Sequence, residues 1–135
     1  MGMTETANAF FGACEAGRGW AACATYCTAD ATFACQSDVL ADTRTLEAYT
    51  EWMKGLLTPL PDGRYELKAF AADEARNTVV AFAVFHGTHI AAGGPMPPTG
   101  RACAADYVDA MTFADGKIRH MTKIWNDAQT VRELD

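Results

Sequence analysis

The chain changes its hydrophobic period near its middle, and this change constrains the fold more than any other feature of the sequence. Up to about residue 57, apolar residues recur at the three- and four-residue spacing of amphipathic helices, whereas from Tyr65 onward they alternate with polar neighbours as in strands. Pro59, Pro61 and Gly63 separate the two halves. Helices followed by a run of antiparallel strands predict an α+β fold, with the helices packed on one face of a sheet.

The predicted elements follow from the spacing and from the turn residues. Helices are predicted at 8–16, 20–26 and 45–57, and a short strand at 31–34. Four further strands are predicted at 65–71, 79–86, 102–113 and 117–125. The sequences at 74–77 and 114–116 are typical of hairpin turns, and the loop at 92–101, rich in Gly and Pro, can form neither a helix nor a central strand. No repeat or long polar linker interrupts the sequence, which predicts a single domain over residues 1–135.

Charge and hydropathy narrow the possible partners. The chain has 11 basic and 17 acidic residues, a net charge of −6, and this argues against binding to nucleic acid or to an anionic membrane surface. No apolar run approaches the ~20 residues that span a bilayer. Half of the residues are apolar, more than a compact core needs. These properties favour a neutral, hydrophobic small molecule as the partner.

Cysteine and histidine usage bears on the compartment and on metals. Five cysteines occur, an odd number without a Cys-x-x-Cys spacing and without a secretory segment before them, which favours a cytoplasmic protein whose thiols are reduced and apolar. The three histidines are His86, His89 and His120. Because His86 and His89 are three apart, an extended strand directs them to opposite faces. The sequence therefore predicts no metal site, since zinc needs three or four converging ligands.

Several short segments occur in an order that resembles a known family. They are Gly87-Thr88-His89, Pro97-Pro98-Thr99-Gly100, Asp106-Tyr107-Val108-Asp109, Asp115-Gly116-Lys117-Ile118 and Lys123-Ile124-Trp125-Asn126-Asp127, with Ala29-Asp30-Ala31-Thr32-Phe33 before them. Together they resemble the SnoaL-like polyketide cyclases, which belong to the cone-shaped α+β superfamily typified by nuclear transport factor two. The resemblance covers essentially the whole chain.

The resemblance implies a fold and a chemistry. It implies a cone-shaped domain in which N-terminal helices pack on a strongly curved antiparallel or mixed sheet and enclose an apolar cavity. In the characterised cyclases a carboxylate on the last strand acts as acid/base in an aldol closure, without a metal or a cofactor. The family's acid position falls here on Asn126, and a one-residue bulge would turn Asp127 inward instead. The resemblance thus makes Asp127 the acid/base candidate.

Other residues are candidates for contact with a substrate. His120 is expected on the same strand face as Asn126, so the two could polarise a carbonyl together. His89 lies beside the Gly/Pro loop, where a cavity mouth is expected. Asp109 alternates with Tyr107 and Met111, so it either faces inward or pairs outward with Arg119; an inward carboxylate is costly unless bonded or functional. Tyr107 and Trp125 are predicted to line the substrate site with His89 and Asp109.

Three functional hypotheses remain open at this point. The first is a cofactor-free enzyme that cyclises or isomerises a hydrophobic carbonyl compound, with Asp127, His120 and Asn126 as catalytic residues. The second is a non-catalytic binder of small apolar ligands, favoured by Asn126 at the acid position. The third is an interaction module that pairs through its open sheet face; a homodimer is expected in any case, because cone folds often dimerise.

Overall fold

The computed structural model describes residues 2–135, which form four α-helices and a five-stranded sheet. The helices are α1 (Met3–Glu15), α2 (Trp20–Cys23), α3 (Leu46–Leu56) and α4 (Asp127–Leu134). The strands are β1 (Cys27–Cys35), β2 (Arg64–Asp73), β3 (Thr78–Thr88), β4 (Ala102–Ala114) and β5 (Lys117–Trp125). Within residues 2–135, no helix is long and apolar enough to cross a membrane.

The sheet is mixed, and the predicted α+β class is confirmed. Its strand order is β1-β5-β4-β3-β2, and β1 runs parallel to β5 while the other neighbours are antiparallel. Short turns join β2 to β3 and β4 to β5, as only antiparallel neighbours allow, and the longer loop of residues 89–101 joins β3 to β4. The parallel strand β1 comes from the helical half of the chain and closes the sheet beside the last strand.

The helices cover one face of the sheet, which we call the inner face. On β4 this face carries the buried residues Cys103, Ala105, Tyr107, Asp109 and Met111, whose neighbours in sequence point to the outer face. Helices α1 and α3 supply the apolar side chains that meet it, among them Phe10, Phe11, Leu46, Tyr49 and Met53. All five thiols are free, and four of them are buried, as expected for small apolar core residues.

Two bulges change which side chains face inward. In β2, Leu67 pairs with Ala83 but Ala69 pairs with Phe82, so Lys68 is an extra residue. In β5, His120 pairs with Thr112 and Ile118 pairs with Phe113, so Arg119 is extra. The second bulge allows Ile118 and Met121, three residues apart, both to be fully buried on the inner face.

The observed elements extend beyond the predicted ones where tertiary pairing supports them. Helix α1 begins at Met3, five residues before the predicted start, and β1 reaches from Cys27 to Cys35 because it pairs along β5. Helix α3 is capped by Thr45, whose hydroxyl accepts from the Ala48 N–H at 3.1 Å, so the helix begins one residue after its predicted start.

The β4–β5 turn has the geometry that its sequence predicts. Asp115 and Gly116 both have positive φ, 51° and 80°. Two successive left-handed residues make the tight hairpin turn whose twist matches the flanking strands, and Asp-Gly is a preferred pair for it. This turn sets the pairing of Phe113 with Ile118, and the bulge at Arg119 then shifts the register by one residue, so that Lys123 of β5 lies opposite Asp109 of β4.

Candidate functional site

An apolar cavity lies between the inner face of the sheet, α3, α4 and the loop after β3. Its volume is about 270 Å³, near the lower end of the range for small-molecule sites. Most of its wall is apolar, and the polar side chains on it are few, as in typical ligand pockets. The lining residues used below are Trp52, Phe85, His89, Tyr107, Lys123 and Trp125.

A cluster of buried polar side chains backs the floor of this cavity. Lys123 and Tyr107 belong both to the cluster and to the cavity wall, whereas Glu15, Tyr49 and Asp109 lie behind them. Glu15 and Asp109 are each only 1% exposed, and Lys123 is 5% exposed. Burying three ionisable side chains is costly unless they are paired and hydrogen-bonded.

The pairing within the cluster centres on the Lys123 ammonium. Its Nζ donates to Tyr49 Oη at 2.9 Å, to Glu15 Oε1 at 3.4 Å and to Asp109 Oδ1 at 3.5 Å. Tyr49 Oη in turn donates to Glu15 Oε2 at 3.1 Å. The ammonium also lies 3.8 Å from the centre of the Tyr107 ring, a cation–π contact. One cation thus holds two carboxylates and two aromatic rings together.

Secondary structure explains how these side chains meet. The β4–β5 register sets Asp109 opposite Lys123, and Tyr107 precedes Asp109 by two residues on the same strand face. Glu15 is the last residue of α1, and Tyr49 lies one turn into α3. The cluster therefore joins two helices to the two adjacent central strands.

Burial and charge set the protonation of the cluster. Burial raises the pKa of Asp109 to about 7; the Lys123 ammonium opposes this rise, and the Glu15 carboxylate adds to it. Burial by itself would lower the pKa of Lys123, but the carboxylates of Asp109 and Glu15 raise it above its ordinary value. Burial and the same two carboxylates raise the pKa of Tyr107 well above its ordinary range. Lys123 is therefore a fixed cation, and Asp109 exchanges a proton near neutral pH.

Two atoms of the cluster have no hydrogen-bond partner among residues 2–135. They are Asp109 Oδ2 and Tyr107 Oη, and both are buried. An unpaired buried polar atom costs about 1–3 kcal/mol. Such atoms are unusual in a folded protein and call for an explanation, which a functional site can provide.

His89 and Trp125 also line the cavity, in agreement with the predicted placement of substrate-contacting residues. The Trp125 indole N–H donates to Thr130 Oγ1 of α4 at 2.9 Å, which fixes this ring against the cavity. His89 is 4% exposed and lies beside the loop of residues 93–96. The structure thus brings together four of the predicted residues: His89, Tyr107 and Trp125 on the wall, and Asp109 behind it.

Asp109 faces inward, which decides between the two alternatives that the sequence left open. Its partner is Lys123 and not Arg119. Arg119 is exposed at the bulge of β5. The sequence signal for Asp109 was its alternation with Tyr107 and Met111, and that alternation holds along the whole of β4.

The expectation that Asp127 faces the cavity is wrong. Strand β5 ends at Trp125, and Asp127 begins α4, where its carboxylate accepts from the Val39 N–H at 3.1 Å. Asp127 and Asn126 line a second cleft of about 490 Å³, which shares Lys123 and Trp125 with the apolar cavity, and neither of them lines the apolar cavity itself. Asn126 is exposed and caps α4, since its side-chain oxygen accepts from the Gln129 N–H at 3.2 Å. Strand β5 does contain a bulge, at Arg119, which turns Met121, Lys123 and Trp125 inward, but the strand ends before this alternation reaches Asp127.

His120 does not meet the cavity either. It lies on the outer face, where Nδ1 is 2.7 Å from Thr32 Oγ1 and Nε2 is 3.0 Å from Thr122 Oγ1. Burial lowers the pKa of His120, and the Arg119 charge adds to this effect. The predicted joint action of His120 and Asn126 is not supported, because the two side chains bond to different elements.

Sequence reasoning did not select Lys123, Glu15 or Tyr49. For Lys123 a signal existed: it alternates with Met121 and Trp125, so it shares their inward face. A buried lysine is rare, however, and the default expectation for lysine is exposure. Glu15 and Tyr49 come from separate helices, and their approach depends on tertiary packing. No group of three His, Cys, Asp or Glu side chains within residues 2–135 is arranged to hold a metal ion.

Comparison of the sequence with models of known families identifies the family of this chain. The family model described as SnoaL-like polyketide cyclase matches residues 5–134. The chain belongs to the SnoaL-like polyketide cyclase family. No curated protein matches it in sequence.

Solved structures of this kind share the fold of our SnoaL-like chain. IdmH of Streptomyces antibioticus, a candidate polyketide cyclase, superposes with a TM-score of 0.79 at 18% identity, over 98% of this chain and 97% of that one. A candidate polyketide cyclase from Pseudomonas putida gives a TM-score of 0.73 at 19% identity, over 100% and 99% of the two chains. TerC, crystallised with polyporic acid, gives a TM-score of 0.72 at 16% identity, over 98% of this chain and 97% of that one.

Proposed function

We propose that this SnoaL-like protein is a cofactor-independent acid/base enzyme that cyclises or isomerises a hydrophobic small molecule bearing a carbonyl group. One observation carries the proposal: an apolar cavity has Lys123 and Tyr107 on its floor, and directly behind them lies Asp109, whose pKa is raised to about 7. Perturbed carboxylates beside a cavity are typical of acid/base sites.

The proposed chemistry uses each of these groups for a different task. Removing a proton next to a carbonyl requires a base, and the enolate oxygen that forms requires a donor or a positive charge. Asp109 accepts the proton at Oδ2, its oxygen without a partner. The Lys123 ammonium stabilises the negative charge on the enolate oxygen, and the Tyr107 hydroxyl donates to it. Asp109 then returns the proton to the second carbonyl during ring closure or to another carbon during isomerisation.

A non-catalytic ligand binder is the second candidate, and one observation favours it. Neither Asp109 nor Glu15 lines the cavity, so a bound molecule meets the carboxylates only if the Tyr107 ring shifts. Catalytic groups often reach hydrogen-bond distance of the substrate only after it binds. The present position of Asp109 therefore does not exclude a catalytic role, and the enzymatic proposal remains the first candidate. The experiment that tests the proposal also separates the two candidates.

The test is α-proton exchange in a small ketone. We would incubate the protein with 2-tetralone in D₂O and follow the loss of the α-proton signals by NMR, with binding measured in parallel by quenching of tryptophan fluorescence. Wild type is expected to accelerate the exchange, and Asp109→Asn to lose about 100-fold or more of that acceleration, since general base catalysis contributes ~10²–10⁴. Asp106→Asn is the matched control, because Asp106 is exposed on the opposite face of the same strand.

Each outcome has a defined reading. Binding without exchange supports the binder, and exchange that survives Asp109→Asn contradicts the role of Asp109. The rate should rise as the pH passes through about 7, because the base acts in its ionised form. A rate that does not change between pH 5 and pH 8 would also contradict the proposal.

The predicted homodimer is proposed to form through the outer face of the sheet. Phe82, Val108 and Ile124 are neighbours across β3, β4 and β5 on this face, and Phe82 and Ile124 are 36% and 65% exposed. Phe82→Arg should convert a dimer to a monomer in analytical ultracentrifugation, whereas Leu67→Arg, at an exposed apolar position on the edge strand, should not. A wild-type monomer at micromolar concentration would refute this interface.

A further inference from the structure

His89 is a buried side chain on the cavity wall whose polar atoms are unused by the protein. Both ring nitrogens are buried and have no hydrogen-bond partner among residues 2–135. The backbone of the residue is fully engaged, since its N–H donates to the Arg101 carbonyl at 2.9 Å and its carbonyl accepts from the Gly100 N–H at 2.8 Å. The backbone at His89 is therefore fixed, while both ring nitrogens remain available to a molecule in the cavity.

The surroundings of the ring define what it can bind. Pro59, Leu60, Gly94 and Met96 belong to the wall of the same cavity, and a Cβ on Gly94 would lie 3.7 Å from Nε2, so this nitrogen is close to the Gly94 backbone. The only charged side chain among the described residues of the cavity wall is Lys123, which is already paired with two carboxylates. Apart from His89 itself, no charge on the described wall is therefore free to compensate an ionised ligand group at this end of the cavity, and a neutral hydroxyl or carbonyl fits it.

The second polar end of the cavity lies at Lys123 and Tyr107. His89 follows β3, and the residue of β3 opposite Tyr107 is Ala83, six positions earlier. At about 3.3 Å per residue this corresponds to at most ~20 Å along the sheet. Between the two ends the wall is formed by apolar side chains, including Phe85, Ala105 and Cys103. A ligand that uses both ends is elongated, apolar in its middle and polar at each tip.

We infer that His89 is a specificity-determining residue that binds an uncharged oxygen group at the end of the ligand remote from Lys123. The inference rests on the proposed function for the position of the reacting carbonyl, and it adds the class of substrate: a neutral, ring-containing ketone with a hydroxyl or second carbonyl at its opposite end. His89 suits both kinds of group, because neutral imidazole has one donor and one acceptor nitrogen.

The test compares two ligands that differ only at the remote end. Binding of 6-hydroxy-2-tetralone and 6-methyl-2-tetralone would be measured by tryptophan fluorescence and by calorimetry. Wild type is expected to bind the hydroxyl compound about tenfold more tightly, because one net hydrogen bond of about 1.4 kcal/mol corresponds to that factor. His89→Phe removes both nitrogens and keeps a planar ring, so it should bind the two compounds within about twofold of each other.

Controls separate this inference from the proposed enzymatic function. Met96→Leu alters the wall near His89 without changing its polarity and should keep the preference for the hydroxyl compound. In wild type, the ¹⁵N resonances of the His89 ring should shift with the hydroxyl compound and not with the methyl compound, a readout that does not depend on folding of a variant. Equal binding by wild type, or a preference that survives His89→Phe, would overturn the inference. Exchange activity is not part of this readout, so failure of the acid/base proposal would be seen separately.

Discussion

The substitution Lys123→Met removes the one cation that holds the buried cluster together. The methionine side chain has a similar length and fills the same apolar stem position, so the change is mainly electrostatic. The variant loses the hydrogen bond from the ammonium to Tyr49 at 2.9 Å. It also loses the ion pairs with Glu15 at 3.4 Å and Asp109 at 3.5 Å. Two carboxylates that are each 1% exposed then remain without a counter-ion.

The expected cost is large because the remaining charges are buried. Removing one partner of a buried ion pair costs about 3–5 kcal/mol. For a domain of this size 1 kcal/mol shifts the melting temperature by roughly 3 °C, so the variant should melt on the order of 10–15 °C lower at pH 8. The pKa of Asp109, already raised to about 7 by burial, should rise further once Lys123 no longer opposes that rise. At pH 5 Asp109 is then neutral, and the cost should be smaller.

The assay is thermal unfolding followed by circular dichroism at pH 5, 6, 7 and 8. Lys117→Met is the control, because Lys117 is an exposed lysine on the same strand. The triple variant Lys123→Met, Asp109→Asn, Glu15→Gln removes all three charges and should recover much of the lost stability at pH 8. The reasoning is refuted if Lys123→Met loses as much stability at pH 5 as at pH 8, or no more than Lys117→Met at either pH.

Two further predictions concern stability. Since the folded-state pKa of Asp109 lies above its ordinary value of 3.8, the folded chain retains this proton longer than the unfolded chain, and the Asp109 contribution to the free energy of unfolding should fall as the pH rises from about 4 to 7. A difference of about three pKa units corresponds to an upper limit of about 4 kcal/mol for this contribution. In urea unfolding, the free energy of unfolding of Asp109→Asn should depend less on pH than that of wild type. Parallel pH curves for the two proteins would contradict this prediction. Asn126→Ala removes the cap of α4 and should cost about 1 kcal/mol in urea unfolding, with Gln129→Ala as a helix-surface control; an equal effect of both would contradict the capping role.

The sequence predicted the architecture well because hairpins and alternation are local signals. The turn at Asp115 and Gly116, the strand boundaries of β5 at Lys117 and Trp125, and the inward face of β4 follow from residues that are close in the chain. The family resemblance supplied the cavity. Strand β1 was predicted too short, since its ends are stabilised by pairing with β5, about 90 residues away.

The candidate site was predicted only in part because its polar side chains come from four elements: α1, α3, β4 and β5. Asp109 was recognised through its apolar neighbours on β4, but its partner Lys123 was not, although it alternates with Met121 and Trp125. The pair Ile118 and Met121 contained a usable signal: two apolar residues three apart in a strand indicate a bulge between them, and the bulge at Arg119 sets the inward phase of β5. Glu15 reaches Lys123 only because α1 packs against the sheet, and no local sequence pattern indicates this contact.

The charge balance of the cluster links its stability to its proposed chemistry. Two carboxylates share one ammonium, so in a site that excludes water the full ionisation of all three groups leaves one negative charge uncompensated. The cluster avoids this by retaining a proton, because burial, with the Glu15 carboxylate adding to it, raises the pKa of Asp109 to about 7. Because the cluster has two carboxylates and one ammonium, the proton on Asp109 is available for transfer near neutral pH in the proposed reaction. The proposed acid/base group, Asp109, thus lies in the middle of the β4–β5 pair, whereas Asn126 and Asp127 at the end of β5 bond to the backbone N–H groups of Gln129 and Val39.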